Sequence, residues 1–414
     1  MKFKACLSLL LLLSTLLAAP AADYRDFDQP PHDYWKRAPK DRFSRWMTNL
    51  TAGRVELDYS GEKAFLASVL KSLDIPASSQ MLIFSTTSLQ LSLISPRSPR
   101  ALYFNEDIYL GYVVGGKIEI VSVDPDLGGV FYIFDIPRNG QPPRPDRATR
   151  CMNCHAREDT GYVPGLVAKS VIPGPTGGSL ESFRQEQSGH GIPLNQRFGG
   201  WYLTGTGSFT NHLANFYGQS TPQGILRRPI VPGTTFNYDR YLVPSSDLLP
   251  QLLHEHQIGF VNRAIEASYR TRTCLFDGGG KLSAAHTATL DQQARLLTRY
   301  LLFADEVPLP PGGIAGDDEF KRDFTSVRRL GPGGASLKDL DLRTRLFRHR
   351  CSYMIYSLAF QGLPPELKQR VFTRLAQALD PAKPDAEYAY LPAAEKQTLR
   401  GILKATLPDL PKNW

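Results

Sequence analysis

Residues 101–134, ALYFNEDIYLGYVVGGKIEIVSVDPDLGGVFYIF, carry Ile, Val, Tyr and Phe in short runs separated by Asn-Glu-Asp, Gly-Gly and Asp-Pro-Asp. Branched and aromatic side chains suit a pleated, packed surface, and the residues between the runs are turn formers. The pattern predicts antiparallel strands over Met81–Ser85, Ala101–Phe104, Ile108–Val114, Lys117–Val123 and Gly129–Phe134. Between the third and fourth, Gly115-Gly116 reads as a two-residue hairpin turn.

On the N-terminal side of this block, residues 61–75 place apolar side chains at 65, 66, 69, 70 and 73, the spacing of one amphipathic helix. Residues 23–60 are polar and aromatic-rich and read as an irregular arm wrapping the body. On the C-terminal side, residues 137–150 form a Pro-rich loop, and residues 156–200 read as a long ordered loop with little periodicity. Helical spacing then returns over Ser246–Arg270, Leu290–Ala304, Leu342–Phe360, Pro364–Leu379 and Ala393–Ala405. Ser245-Ser246-Asp247 supplies cap residues for the first of these, and Pro250 suits an early helical position. The expected class is α+β, a β-rich N-terminal portion (61–150) followed by a mainly helical C-terminal portion (241–414).

The length of 414 residues has room for two or three domains and a sizeable core without metal or disulfide staples. At the start, Lys2 and Lys4 precede an apolar run over Leu9–Leu17, followed by Ala19-Pro20-Ala21. That is the layout of a cleaved secretory signal peptide, assigned to residues 1–22, and it implies a periplasmic or otherwise exported protein. No later stretch is apolar and long enough to span a bilayer. The net charge of +8 is spread among acidic residues, with denser basic clusters at Arg138–Arg150 and Arg343–Arg350. A nucleic-acid surface would need a concentrated patch, so that class is set aside.

The residues between the two portions carry the chemistry. Cys151-Met152-Asn153-Cys154-His155 places two thiols and an imidazole within one helical turn. That is the spacing of a c-type haem attachment motif, in which the thiols meet the two vinyl groups of one porphyrin and the histidine reaches the iron. Zinc would want a second ligand pair nearby, and a dithiol redox pair would want a βαβ setting. The reading is one covalent haem c on Cys151 and Cys154, with His155 as proximal ligand, in an attachment region spanning 151–240. The haem then lies at the junction of the two portions.

The distal ligand is open. Of the five methionines, Met152 lies inside the attachment turn and Met354 sits in an apolar pattern that reads as core, so bis-His ligation or a five-coordinate iron is expected. His212 follows a Gly-rich aromatic segment and His256 sits among Glu255, Gln257 and Asn262; these two histidines are the distal candidates, and with Glu255 they are the candidates for a catalytic role. His254 and His256 are about 200° apart on a helix and face different ways. His190 lies in a Ser-Gly-His-Gly loop, and His32, His286 and His349 read as surface residues. Trp201, Tyr202 and Tyr353 are either haem-wall aromatics or ordinary core. Cys274 and Cys351 either pair as a disulfide or remain two buried thiols.

SSQMLIFSTTSLQ, RALYFNEDIYLGYV, RCMNCH, GGWYLTGT, LLHEHQ and RCSYMIYSLAF together resemble a group of exported bacterial monohaem proteins described as cytochrome c domain-containing. The resemblance covers about residues 60–380 and implies a family and a compartment, but no reaction. The chain departs from small c-type cytochromes in its size, its mid-chain motif and its lack of a Met loop, so a small cytochrome c fold is not expected over the whole chain. The expected function is one-electron transfer to a redox partner protein. The alternatives are a haem-dependent redox enzyme with an open distal iron site, of peroxidase or oxyanion-reductase type, and a haem-based sensor subunit. A basic rim beside the haem could steer an acidic partner.

Overall fold

The computed structural model describes residues 26–138, 140–182, 189–383, 385–412 and 414. The signal-peptide reading at 1–22 lies outside the described residues. A six-stranded antiparallel meander runs in sequence order: β1 (Met81–Ile83), β2 (Arg100–Phe104), β3 (Ile108–Tyr112), β4 (Lys117–Asp124), β5 (Gly128–Asp135) and β6 (Asp146–Arg147). Two small hairpins follow, β7 (Val171–Pro173) with β8 (Ser179–Ser182), and β9 (Phe216–Thr221) with β10 (Gly224–Pro229). The helices are α1 (Arg42–Thr51), α2 (Glu62–Ser72), the one-turn α3 (Met152–His155), α4 (Leu248–Asp277), α5 (Ala284–Leu301), α6 (Asp318–Ser326), α7 (Leu358–Gln361), α8 (Pro365–Ala378) and α9 (Ala393–Thr406). The β-rich N-terminal half and helical C-terminal half match the expected class. No described helix is long and apolar enough to cross a membrane.

The sheet is covered on both faces, which is why its strands read as nearly continuous apolar runs. Along β1 and β3 the side chains alternate: Leu82, Ile108 and Leu110 pack with α1 and α2, whereas Met81, Ile83 and Tyr109 pack with α4. Every residue of β3 is buried as a result. The turn before β4 closes one residue earlier than the Gly-Gly reading. Gly116 N–H donates to Val113 C=O at 2.8 Å, placing Val114 and Gly115 at the centre, with Gly115 at φ 72°. Only one glycine is then needed in the left-handed region.

The arm at 23–60 is not irregular throughout, because it contains α1. Asp41 accepts from the Phe43 and Ser44 amides at 2.9 and 3.1 Å, and Phe43, Trp46 and Leu50 bury one face against the sheet. The expected helix at Leu342–Phe360 does not form. Leu340 and Phe347 make an isolated bridge, Asp341 closes a turn by accepting from the Arg343 and Thr344 amides, and only Leu358–Gln361 is α-helical. The turn at Asp341 and the fresh N-caps at Ser352 and Ser357, which each start a separate short helical turn, break the segment into pieces. The long loop at 156–200 contains the β7–β8 hairpin.

The spine is α4, 30 residues and about 45 Å long. Asp247 caps it by accepting from Leu249 N–H at 3.0 Å and ties in α6 by accepting from Asp317 N–H at 3.1 Å. It is buried on nearly all sides, between the sheet, α5 and the segment 343–357, so its polar residues are interior groups that each need a partner. Cys351 is a buried free thiol, pushed up to about 12 by burial, and so makes no disulfide with Cys274 on α4.

Candidate functional site

The cysteine–histidine turn hangs from the edge of the sheet. Edge strand β6 pairs with β5 through Tyr132 and Arg147, and the next amide, Ala148 N–H, donates to Phe131 C=O at 2.9 Å. Arg147 anchors this edge: its guanidinium donates to Tyr34 C=O at 2.8 Å and lies over the Tyr34 and Trp35 rings. A single 3-10 turn, Thr149–Cys151, then leads into α3. The chain thus presents Cys151, Cys154 and His155 on one outward turn beside Phe131.

The three groups differ in exposure. Cys154 is exposed and Cys151 is half-buried. Burial, with the Glu119 carboxylate and Cys154 adding to it, pushes the Cys151 thiol up to about 12, so it is held protonated. The His155 ring sits 4.5 Å from Phe131. Its Nδ1–H donates to Gly165 C=O at 2.9 Å, which puts the imidazole lone pair on Nε2. The backbone reciprocates, with Gly165 N–H donating to His155 C=O at 2.8 Å and Thr160 Oγ1 donating to the same carbonyl at 3.2 Å. Asn262 on α4 grips the following residue from both sides, accepting from Leu166 N–H and donating to Leu166 C=O, each at 2.8 Å.

His256 and His212 are held elsewhere. His256 is fully buried with both ring nitrogens engaged: Nδ1 lies 2.8 Å from His190 Nδ1 and Nε2 lies 2.7 Å from Ser352 Oγ. Its ring stacks on Phe303 at 4.7 Å. A consistent proton assignment runs from the Ser352 hydroxyl to His256 Nε2, from His256 Nδ1–H to His190 Nδ1, and from His190 Nε2–H to Ala304 C=O at 3.4 Å. His212 is half-buried in a loop tied to the start of α4 by Thr204, which donates to Ser246 C=O and accepts from Leu248 N–H. His155 is tied near Asn262, about 20 Å farther along the helix axis. Both ring nitrogens of His256 are thus committed inside the molecule, and His212 Nδ1 accepts from Ala214 N–H at 3.1 Å.

Glu255, the third candidate, faces Arg197 at 3.0 Å; burial pushes its carboxyl up to about 7, with Arg197 pulling it back. Gln257 bridges two buried tyrosines, accepting from Tyr109 and donating to Tyr353 at 3.0 and 2.9 Å. Trp201 donates to Lys169 C=O and Tyr202 to Pro96 C=O. Met354 is a core residue. His32 is buried against Tyr269 rather than on the surface, because the arm folds back onto α4. His190 is interior as well, and His286 and His349 are half-buried.

The residues missed from sequence are Phe131, Gly165, Asn262 and His190. Asn262 had a signal, an amide in an apolar helix, but its partner at Leu166 is 96 positions away. Among the described residues no three His, Cys, Asp or Glu side chains converge as a metal cage. A haem iron asks for one or two protein ligands only.

The buried histidines set an acid limit. Burial pushes His254 and His256 down to about 3 and His190 well below its usual value. Neutral in the fold but titrating near 6.5 when unfolded, each contributes stability that is present above pH 6.5 and lost as pH falls towards the folded value. Glu255 and Glu306, pushed up to about 7, and Asp107, pushed up to about 6, act in the opposite sense down to about pH 4.5. Urea unfolding should therefore show nearly level stability from pH 6.5 to 4.5. Below about pH 4 the three histidine protons cost about 4 kcal/mol per pH unit, and the carboxyls of Glu119, Glu387 and Glu395, held below their usual range by arginine partners against burial, add to the loss. A steady decline starting at pH 6.5 would mean that the carboxyls are not raised, and a rise towards pH 4.5 would mean that the imidazoles are not buried neutral.

No family model, curated protein or solved structure matches this chain.

Proposed function

We propose that the protein is an exported monohaem c-type electron carrier, with haem c joined to Cys151 and Cys154 and its iron held by His155. The observation that carries this is the His155 Nδ1–H bond to Gly165 C=O, which fixes the tautomer with the ring lone pair on Nε2, on the same turn as both thiols. A dithiol redox pair gains nothing from that bond. When bound, haem c supplies a one-electron ferric–ferrous couple. The residues here would do the rest. The outward turn at Cys154 lets a partner approach closely, Phe131 walls one side of the imidazole, and the protonated Cys151 thiol has the hydrogen that addition across a vinyl group requires. Exposed Arg144, Arg150 and Arg157 border the turn and would favour an acidic partner protein.

The engagement of both His256 ring nitrogens by His190 and Ser352 favours one second reading, a five-coordinate iron in a haem-dependent redox enzyme. Both readings are tested by expressing the full chain with cytochrome c maturation factors and recording spectra oxidised, reduced, and reduced with carbon monoxide. Covalent haem with a low-spin spectrum indifferent to carbon monoxide is the result expected of a carrier. A high-spin iron that binds carbon monoxide at once selects the enzyme, with peroxide and nitrogen oxyanions as first substrates. Absence of covalent haem refutes both.

A further inference from the structure

We infer that Asn262, on α4, is a positioning residue for the proximal imidazole. It acts through the backbone of Gly165-Leu166 without touching the haem motif itself. This rests on the haem reading.

The chain of contacts is continuous. Asn262 closes two opposed hydrogen bonds on Leu166, one to its amide and one to its carbonyl, both 2.8 Å. Only an amide side chain offers an acceptor and a donor in that spacing; a carboxylate keeps the first bond and loses the second. Leu166 is buried and Asn262 is nearly so, which excludes water as a substitute partner and makes each bond costly to leave unmade. Leu166 thus held, Gly165 is left with one placement, in which its carbonyl meets His155 Nδ1 at 2.9 Å and its amide meets His155 C=O at 2.8 Å. Thr160 closes the loop by donating to His155 C=O.

Glycine at 165 is required by the same closeness. A Cβ there would stand 2.7 Å from Asn262 Oδ1 and 2.9 Å from Thr160 Cβ. A methyl group would therefore lift the loop from α4 without removing any hydrogen-bonding atom. The loop 157–166 thus links the imidazole to the long, buried helix α4. The strength of the Nδ1–H bond sets how much electron density Nε2 offers to iron, and a more basic imidazole favours the ferric state. Through this linkage α4, part of the helical half, tunes a ligand carried by the sheet half.

Three variants of the full chain test it: Asn262→Leu, which keeps the branched shape and removes both bonds; Asn262→Asp, which keeps one; and Gly165→Ala. The readouts are the midpoint potential of the haem-loaded protein and the nitrogen-15 shifts of His155 in the haem-free chain, which report its tautomer directly. The expected result is an upward shift in potential, largest for Asn262→Leu and smaller for Asn262→Asp. Gly165→Ala should move it in the same direction, and the Nε2–H tautomer should appear in the haem-free variants. An unchanged potential and an unchanged tautomer in Asn262→Leu and Gly165→Ala would overturn the assignment. If wild-type protein takes up no covalent haem, the haem reading fails alone, and the nitrogen shifts still decide whether Asn262 positions His155.

Discussion

Changing Cys151 and Cys154 together to alanine should abolish covalent haem while leaving the fold almost as stable as before. The two consequences separate because of where the thiols sit. Cys154 is exposed, so its truncation should fall within about 0.5 kcal/mol of neutral. Cys151 is half-buried beside the sheet, and losing its sulfur costs about 1 kcal/mol of apolar contact. Neither thiol side chain anchors the turn, whose backbone is held by the Ala148–Phe131 and His155–Gly165 bonds. Haem staining after denaturing electrophoresis should be lost entirely, with the thermal midpoint lowered by only a few degrees. Each single variant keeps one thioether and should show the altered reduced spectrum of a haem with one free vinyl group. Staining of the double variant equal to wild type would remove these cysteines from cofactor attachment.

The second large effect concerns stability. Arg197→Met should destabilise the fold by about 3–5 kcal/mol at pH 8, the range for breaking a buried pair by deleting one partner. Arg197 is almost wholly buried and makes three interior contacts: the Glu255 carboxylate at 3.0 Å, Ile192 C=O at 2.7 Å and His190 C=O at 3.0 Å. Methionine fills the volume but leaves two carbonyls and a carboxylate without their donor. The pH dependence identifies the cause. Glu255 already stands at about 7 with Arg197 beside it, and without the guanidinium it rises further. A raised carboxyl contributes stability below its unfolded value near 4.5 and loses it as pH rises through the folded value. The deficit of the variant should therefore grow from pH 5 to pH 8. Urea unfolding at the two pH values measures it, and an equal deficit at both would assign the whole effect to the lost carbonyl contacts.

The strands were legible because the sheet is covered on both faces, so Ile, Val, Tyr and Phe crowd β3 and β5, while β4 alternates Ile and Val with Glu119 and Ser122. The long α4 was legible from its Asp247 cap and its length. The segment 342–360 misled, because its apolar residues recur at helical spacing while Asp341, Ser352 and Ser357 bond locally to backbone amides. The arm misled in the other direction. Asp41 and Phe43, Trp46 and Leu50 hold a real helix signal, obscured by surrounding polar and proline residues.

By itself the sequence determined what lies close along the chain: two thiols and an imidazole in one turn, the strand block, the capped spine, and the order of β-rich and helical halves. Such features depend on local spacing and backbone chemistry, which a linear string records in full. Tertiary structure alone decided which polar groups meet. Glu255, His256, Gln257 and Asn262 stand on one helix, and their partners Arg197, His190, Ser352, Tyr109, Tyr353 and Leu166 come from separate parts of the chain. A buried polar group must find a partner, but no local rule names it. That is why two residues with the look of haem ligands or acids, His256 and Glu255, belong to the interior of the spine, while Asn262, with no such look, holds Leu166, next to the glycine that bonds the imidazole.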